Sequence, residues 1–244
     1  MKNQYKNISN DFKNVRQKPV TEYLEVPSVI QAVGPINGKS VIDLACGEGF
    51  FTRIWKKLRA ERVYGLDLSP EMIDLAEQQE RHNRIGIKYL VADASVQQKI
   101  GRFDIATAIF LFNYANNVET LLNMMKNVFV NLENGGRLIA VVPNPDFING
   151  RKDTLPYGYF VEEISSDPSS INVKMTFTDD KSFSIEFTQW SRMIYENTLA
   201  EAGFGDISWS HFSVSDEGMH KLGWEFWRST IENPKSIILT AVKK

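Results

Sequence analysis

Residues 41–52 read Val-Ile-Asp-Leu-Ala-Cys-Gly-Glu-Gly-Phe-Phe-Thr, residues 63–67 Val-Tyr-Gly-Leu-Asp, and residues 89–94 Tyr-Leu-Val-Ala-Asp-Ala. Each is an apolar run with an acid at or near its end. In a wound α/β sheet such runs are strands whose carboxyl ends share one crevice, so Asp43, Asp67 and Asp93 supply three acceptors around a single site. Gly47 and Gly49 allow close backbone approach to a ligand, and Phe50 onward opens a helix whose unpaired N–H groups face it. Asp67 follows Gly47 by twenty residues. That spacing suits both hydroxyls of a ribose, with Leu68 lining an adenine pocket and Asp93, beside Ala94, accepting from the adenine amino group. Asp43 orients the loop or meets a cationic part of the ligand, while Ala45 to Gly49 offers backbone contacts without calling for phosphate. The set describes a nucleoside carrying an amino-acid tail.

Two other readings use the same residues. An NAD-dependent oxidoreductase would place Asp67 on its ribose, but Thr52 stands where a dinucleotide fingerprint prefers Gly or Ala. A noncatalytic binding module would need the loop and no general base. Cys46 reads as a small residue packed against the turn rather than a nucleophile, because no sequence signal supplies its base. His82 and His220 belong to no ligand cluster, and no metal signature is present.

The elements that must position these groups alternate. Strand candidates at 40–44, 63–67, 87–91, 104–109 and 137–142 are separated by helical stretches at 50–59, 70–82 and 117–133, the order of a largely parallel sheet. Ser69-Pro70-Glu71 is a helix start, and Asn134-Gly135-Gly136 ends a helix and turns into a strand. After Pro145 the pattern changes: 171–178 and 182–188 read as a hairpin joined by Asp179-Asp180-Lys181, a candidate substrate cap within an insertion at 146–190. Residues 189–202 resemble a helix ending at Gly203, and 206–212 with 236–242 supply the last strands, antiparallel ones fitting best. Residues 1–36 form a helical arm or lid ahead of a domain spanning 37–244.

The 244 residues suffice for one substantial domain with an elaboration. Lys and Arg number 28 against 30 Asp and Glu, giving a formal charge of -2, and no basic tract argues for nucleic acid. No apolar span of about 18 residues and no signal segment is seen. The single Cys46 cannot form an intrachain disulfide, and the expected location is cytoplasmic, as monomer or homodimer.

The assembled residues resemble the class I methyltransferases that use S-adenosylmethionine. Their first motif matches Asp43-Leu-Ala-Cys-Gly-Glu-Gly49, their ribose acid Asp67 and their adenine-site acid Asp93. Their later strand-end segment matches residues 103–113, and Leu132-Glu-Asn-Gly-Gly-Arg-Leu-Ile139 is similar to the glycine turn before their fifth strand, with Glu133-Asn134 replacing a frequent Lys-Pro pair. The resemblance covers residues 38–142 and implies a Rossmann-like seven-stranded α/β sheet with a reversed final strand, an inserted hairpin cap and S-adenosylmethionine as cofactor. The implied reaction is attack of a substrate nucleophile on the activated methyl group, giving S-adenosylhomocysteine.

The segment Tyr5-Lys-Asn-Ile-Ser-Asn-Asp-Phe12 presents one apolar helical face and is similar to the arm that closes over the cofactor in many small-molecule methyltransferases, although Lys6 and Ser9 depart from its pattern. Tyr5 and Phe12 are therefore cofactor-contact candidates, together with Phe110 at the end of the fourth strand. Asn113 and Tyr114 fall where strand-end loops approach the transferable group and are the catalytic candidates. Aromatic residues at and after the insertion suit a planar pocket, with Trp190, Tyr195 and the strand-end His211 as substrate contacts. The arm, the loop and the length together are similar to bacterial small-molecule methyltransferases, including those that methylate ring nitrogens of azapteridine antibiotics of the toxoflavin type. The expected reaction is N- or O-methylation of a small planar molecule.

Overall fold

The structure, a computed structural model, describes residues 18–150, 152–178 and 183–244. Tyr5, Phe12 and the turn expected at 179–181 lie outside the described residues. Seven strands form one sheet: β1 (Ser40–Leu44), β2 (Arg62–Asp67), β3 (Ile87–Val91), β4 (Phe103–Ile109), β5 (Leu132–Pro143), β9 (Phe204–Ser210) and β10 (Ser236–Lys243). A second, three-stranded sheet comprises β6 (Tyr159–Ser166), β7 (Ser170–Phe177) and β8 (Phe183–Trp190). The helices are α1 (Val26–Val33), preceded by a π-helical turn at Thr21–Glu25, then α2 (Phe50–Lys57), α3 (Pro70–His82), α4 (Val118–Val130), α5 (Arg192–Ala202) and α6 (Asp216–Glu232).

The large sheet runs β3-β2-β1-β4-β5-β10-β9. The first five strands pair in parallel, and β10 lies antiparallel between β5 and β9. Strand order therefore reverses between β1 and β4, the point where ligands gather in open α/β sheets. The reversed strand also separates this sheet from the dinucleotide-binding order, whose sixth strand follows the fifth directly. Central strands carry apolar residues on both faces because helices cover both, as in Phe103–Ile109, where most positions are buried. Edge strand β3 is buried at Ile87 and Tyr89 and exposed at Lys88, Leu90 and Val91.

Local chemistry sets the helix starts. Ser69 Oγ accepts from Met72 N at 3.3 Å with Pro70 in the first turn, Asn117 Oδ1 accepts from Thr120 N at 2.7 Å, and Ser191 Oγ accepts from Ile194 N at 3.3 Å. Gly203, at φ 101°, closes α5 in the left-handed conformation that glycine adopts without strain.

Three expectations need correction, and one element was not anticipated. The cap is three strands, not a hairpin: β6 pairs antiparallel with β7 from Tyr159↔Phe177 to Ser166↔Ile171. Residues 189 and 190 finish β8, so α5 begins only at Arg192. The glycine turn at 134–136 lies inside the β5 ladder as a shift of register against β4 between Phe103 and Ile105. Residues 216–232 are helical, two segments meeting at Gly223, whose φ of 72° and ψ of 166° break the helix.

The sheet separates two apolar layers, and a third cluster joins the small sheet to Val20, Leu24 and Trp227. Trp190 and Tyr195 belong to the first layer. Tyr195 is fully buried, edge-on to Trp209 at 5.8 Å, and its Oη is buried with no hydrogen-bond partner among the described residues. Burial pushes its hydroxyl far above the ordinary tyrosine range. Tyr195 is thus core, not a substrate contact. Tyr195→Phe removes a desolvated hydroxyl that bonds to nothing among the described residues, so we expect a thermal transition equal to or above that of the parent, with a gain of up to about 1 kcal/mol. A clear loss of stability on calorimetric melting would show that the hydroxyl has a partner.

Candidate functional site

The site grows from a buried carboxylate. Asp43, near the end of β1, accepts from Thr107 Oγ1 of β4 and from Thr52 Oγ1 of α2, both at 2.6 Å. It is 1% exposed and does not border the adjoining cavity, so it organises the loop rather than touching a ligand. The chain then bends sharply: Ala45 has φ 56°, Gly47 φ 55° and Gly49 φ 86°. Ala45 is a non-glycine residue in the left-handed region, as is Phe110 at φ 57° at the end of β4. The two strained residues flank the switch point on neighbouring strands.

Gly49 has a structural reason of its own. A Cβ there would lie 2.9 Å from Tyr89 Cζ, so the loop rests on the Tyr89 ring and does not itself border the cavity. Gly47 differs, for a Cβ there would meet nothing within 4 Å, and the residue stands at the cavity rim.

Asp67 ties two loops together. Its Oδ2 accepts from Gly47 N at 2.8 Å and its Oδ1 from Ser69 N at 2.9 Å. Burial raises its pKa despite these backbone bonds, yet it borders the cavity, where the remaining lone pairs of a two-oxygen acceptor can take hydroxyl donors. Leu68, Ala92 and Ala94 border the same space. Asp93 does not: its Oδ1 accepts from Ser95 N at 2.8 Å and Ser95 Oγ at 2.7 Å, which folds the loop after β3.

The cavity measures about 210 Å³ and runs from the glycine loop to the small sheet. Ala45, Gly47, Asp67, Leu68, Ala94 and Phe110 line it with both catalytic candidates, Asn113 and Tyr114. Asn113 is 2% exposed, and its Oδ1 is buried with no hydrogen-bond partner among the described residues. The opposite wall is apolar and aromatic, with Tyr157, Tyr159, Met175, Phe177, Ile185 and Phe187. Trp190, Tyr195 and His211 are absent from it; Trp190 is turned into the core and His211 is exposed. The aromatic supply after Pro145 is thus split between pocket and core by strand direction, which content alone does not reveal. Sequence reading assigned no site role to Ser69, Met72, Lys235 or Ser236, which also line the cavity. Lys235 follows an Asn-Pro turn with no pattern that marks it as functional.

Among the described residues no group of three or more His, Cys, Asp or Glu is placed to hold a metal ion. No helix among them is long and apolar enough to cross a membrane.

Residues 42–140 match a family model described as a methyltransferase domain. A ribosomal protein L11 methyltransferase of Paraburkholderia xenovorans is 34% identical over 93 residues, 38% of this chain and 29% of that protein. An uncharacterised Haemophilus influenzae protein is 27% identical over 141 residues, 55% of this chain. The chain thus spans about half, at 54%, or less of the length of these curated relatives. The fold is that of solved methyltransferases. An S-adenosylmethionine-dependent methyltransferase from Mesorhizobium loti superposes with a TM-score of 0.65 at 18% identity, over 94% of this chain and 100% of that one. CalS10, an amino pentose methyltransferase from Micromonospora echinaspora solved with S-adenosylmethionine bound, gives 0.61 at 19% identity over 100% of both chains.

Cys46, the single cysteine of the sequence, lies in the loop and is buried. Burial, then the charges of Asp43 and Asp67, push its thiol well above the ordinary value, so it stays protonated at neutral pH. We therefore expect iodoacetamide to label native protein at pH 7.5 far more slowly than denatured protein, as read by mass spectrometry. Equal labelling rates would mean that the loop opens or that the thiolate forms.

Proposed function

We propose that this chain, which carries a class I S-adenosylmethionine-dependent methyltransferase domain, methylates a ring nitrogen or oxygen of a small planar molecule. The observation that carries the reading is the single cavity joining the glycine loop and Asp67 to an aromatic wall. The residues present fit the cofactor: Gly47 leaves open space at the rim, Asp67 offers a two-oxygen acceptor, and Leu68 and Met72 add apolar surface. Asp67 takes the ribose hydroxyls and Leu68, Ala92 and Ala94 flank the adenine, while Asp93 acts from behind by shaping its loop.

When bound, the cofactor would supply an electrophilic methyl group for an acceptor lone pair, and the proton of the acceptor would pass to solvent because Asn113, a neutral amide, cannot take it up. The chain's own residues hold and dry the acceptor. Tyr157, Tyr159, Phe177 and Phe187 provide flat apolar surface for stacking, and Asn113 Oδ1 accepts from the N–H or O–H of the atom to be methylated. Alignment in an apolar cavity supplies much of the rate through lost freedom of approach and weakened solvation of the nucleophile. An acceptor of the azapteridine kind, with acidic ring nitrogens, fits these demands.

Titration calorimetry of the chain with S-adenosylmethionine, S-adenosylhomocysteine and NAD tests the cofactor. We expect the first two to bind and NAD not to, and Asp67→Asn to weaken both by about tenfold or more while the chain stays folded by circular dichroism. Binding of NAD alone would reverse the reading. For the acceptor, we expect Asn113→Ala to lower the rate of S-adenosylhomocysteine formation across a panel of planar N- and O-nucleophiles while leaving cofactor affinity within about twofold. An unchanged rate would remove Asn113 from the acceptor site.

A further inference from the structure

Two neighbouring groups on the cavity wall have no task in the reading above. Lys235 and Ser236 stand where Asn233-Pro234 leads into β10. Lys235 Nζ lies 5.2 Å from the ring centroid of Phe110 and 4.9 Å from that of Tyr159, so the ammonium is held against two aromatic rings rather than extended into water. The backbone beneath it is anchored, since Asn144 N donates to Lys235 O and Asn144 Nδ2 to Pro234 O, both at 2.8 Å. Ser236 is 3% exposed, and its Oγ is buried without a hydrogen-bond partner among the described residues. A desolvated hydroxyl without a partner costs about 1–3 kcal/mol, which a ligand able to accept its hydrogen recovers.

A cation and an unpartnered hydroxyl on consecutive residues, bordering a cavity whose facing wall is Met175, Phe177, Ile185 and Phe187, are recognition elements for one anionic group at the rim of an apolar body. Phe110 links this corner to the reacting end: its ring touches Lys235, and its strained backbone begins the turn that carries Asn113. We propose that the methyl acceptor bears a carboxylate, bound by Lys235 Nζ and by the Ser236 hydroxyl, which donates. The carboxylate fixes the in-plane orientation of the ring whose nitrogen or oxygen faces Asn113. The identification of this ligand as methyl acceptor rests on the function proposed above; the carboxylate site itself does not.

The test is calorimetric titration of the full chain with benzoate and quinoline-2-carboxylate beside their uncharged amides, with and without saturating S-adenosylhomocysteine. Carboxylates should bind at least about tenfold tighter than the matching amides, as expected for a charge-assisted pair. Lys235→Met should erase that preference while leaving amide and S-adenosylhomocysteine affinities unchanged, and Lys235→Arg should retain it. Ser236→Ala, which removes only a hydroxyl without a protein partner, should weaken the carboxylates selectively, and it carries the test if Lys235→Met does not fold. Equal affinity of carboxylates and amides, no carboxylate binding at millimolar concentration, or a preference that survives both Lys235→Met and Ser236→Ala would overturn the proposal. A carboxylate preference in a chain that binds no S-adenosylhomocysteine would uphold the anion site and sink the methyltransferase reading instead.

Discussion

The buried carboxylate of Asp43 is the constraint from which the site follows. A charge removed from water is tolerated only when strongly hydrogen-bonded, and Asp43 meets that need with two short bonds, one to the helix after the glycine loop and one to the neighbouring strand. Those bonds join β1, α2 and β4 across the position where strand order reverses. Thr52, which spoils the dinucleotide fingerprint, is one of the two donors. The residue that argues against NAD by its type therefore has a positive role: it holds the loop in place through its hydroxyl, where Gly or Ala would leave an acceptor of Asp43 without that donor.

Asp67 repeats the arrangement one strand over, with a difference that separates scaffold from site. Asp43 is enclosed, whereas Asp67 fastens Gly47 N and Ser69 N and still borders the cavity. Burial raises its pKa and its backbone bonds only partly offset that, so it ionises less readily than a carboxyl in water. Hydroxyl donors arriving with a ligand would favour the ionised form. Binding strength and loop order are thus coupled through one side chain, since the same carboxylate that would hold a ribose also sets the path of the loop beneath it.

The large sheet was legible in the sequence because its strands are apolar runs that end in acids or turn residues, and because β1, β4 and β5 are buried on both faces. What escaped did so for local reasons. β6 packs only its first residues against the core; from Glu162 to Ser166 every residue is exposed, Ile164 included, so no alternation survives to be read. α6 is broken at Gly223, which splits its apolar period. The glycine loop and Asp67 could be placed because short spacing in sequence equals proximity in space. Trp190 and Tyr195 could not, because which face of β8 or α5 meets the cavity depends on packing between elements far apart in the chain. Lys235 was invisible for the same reason: only the approach of Phe110 and Tyr159, 125 and 76 residues earlier, gives it surroundings.

Charge balance ties the two ends of the cavity together. A sulfonium is a cation, and a carboxylate arriving with the acceptor would add the opposite charge to the same low-dielectric space. Asp67 and Glu48 border the loop end, while Lys235 stands against Phe110 and Tyr159 on the wall that the small sheet completes. An acceptor whose carboxylate meets Lys235 leaves its ring among Met175, Phe177 and Ile185, where solvation of the nucleophile is weakest. Under that arrangement the ionic contact stays remote from the bond being made, and the apolar wall can desolvate the reacting atom without having to desolvate a free charge. The small sheet then serves two purposes with one face: it encloses the acceptor ring, and through Tyr159 it positions the cation that orients it.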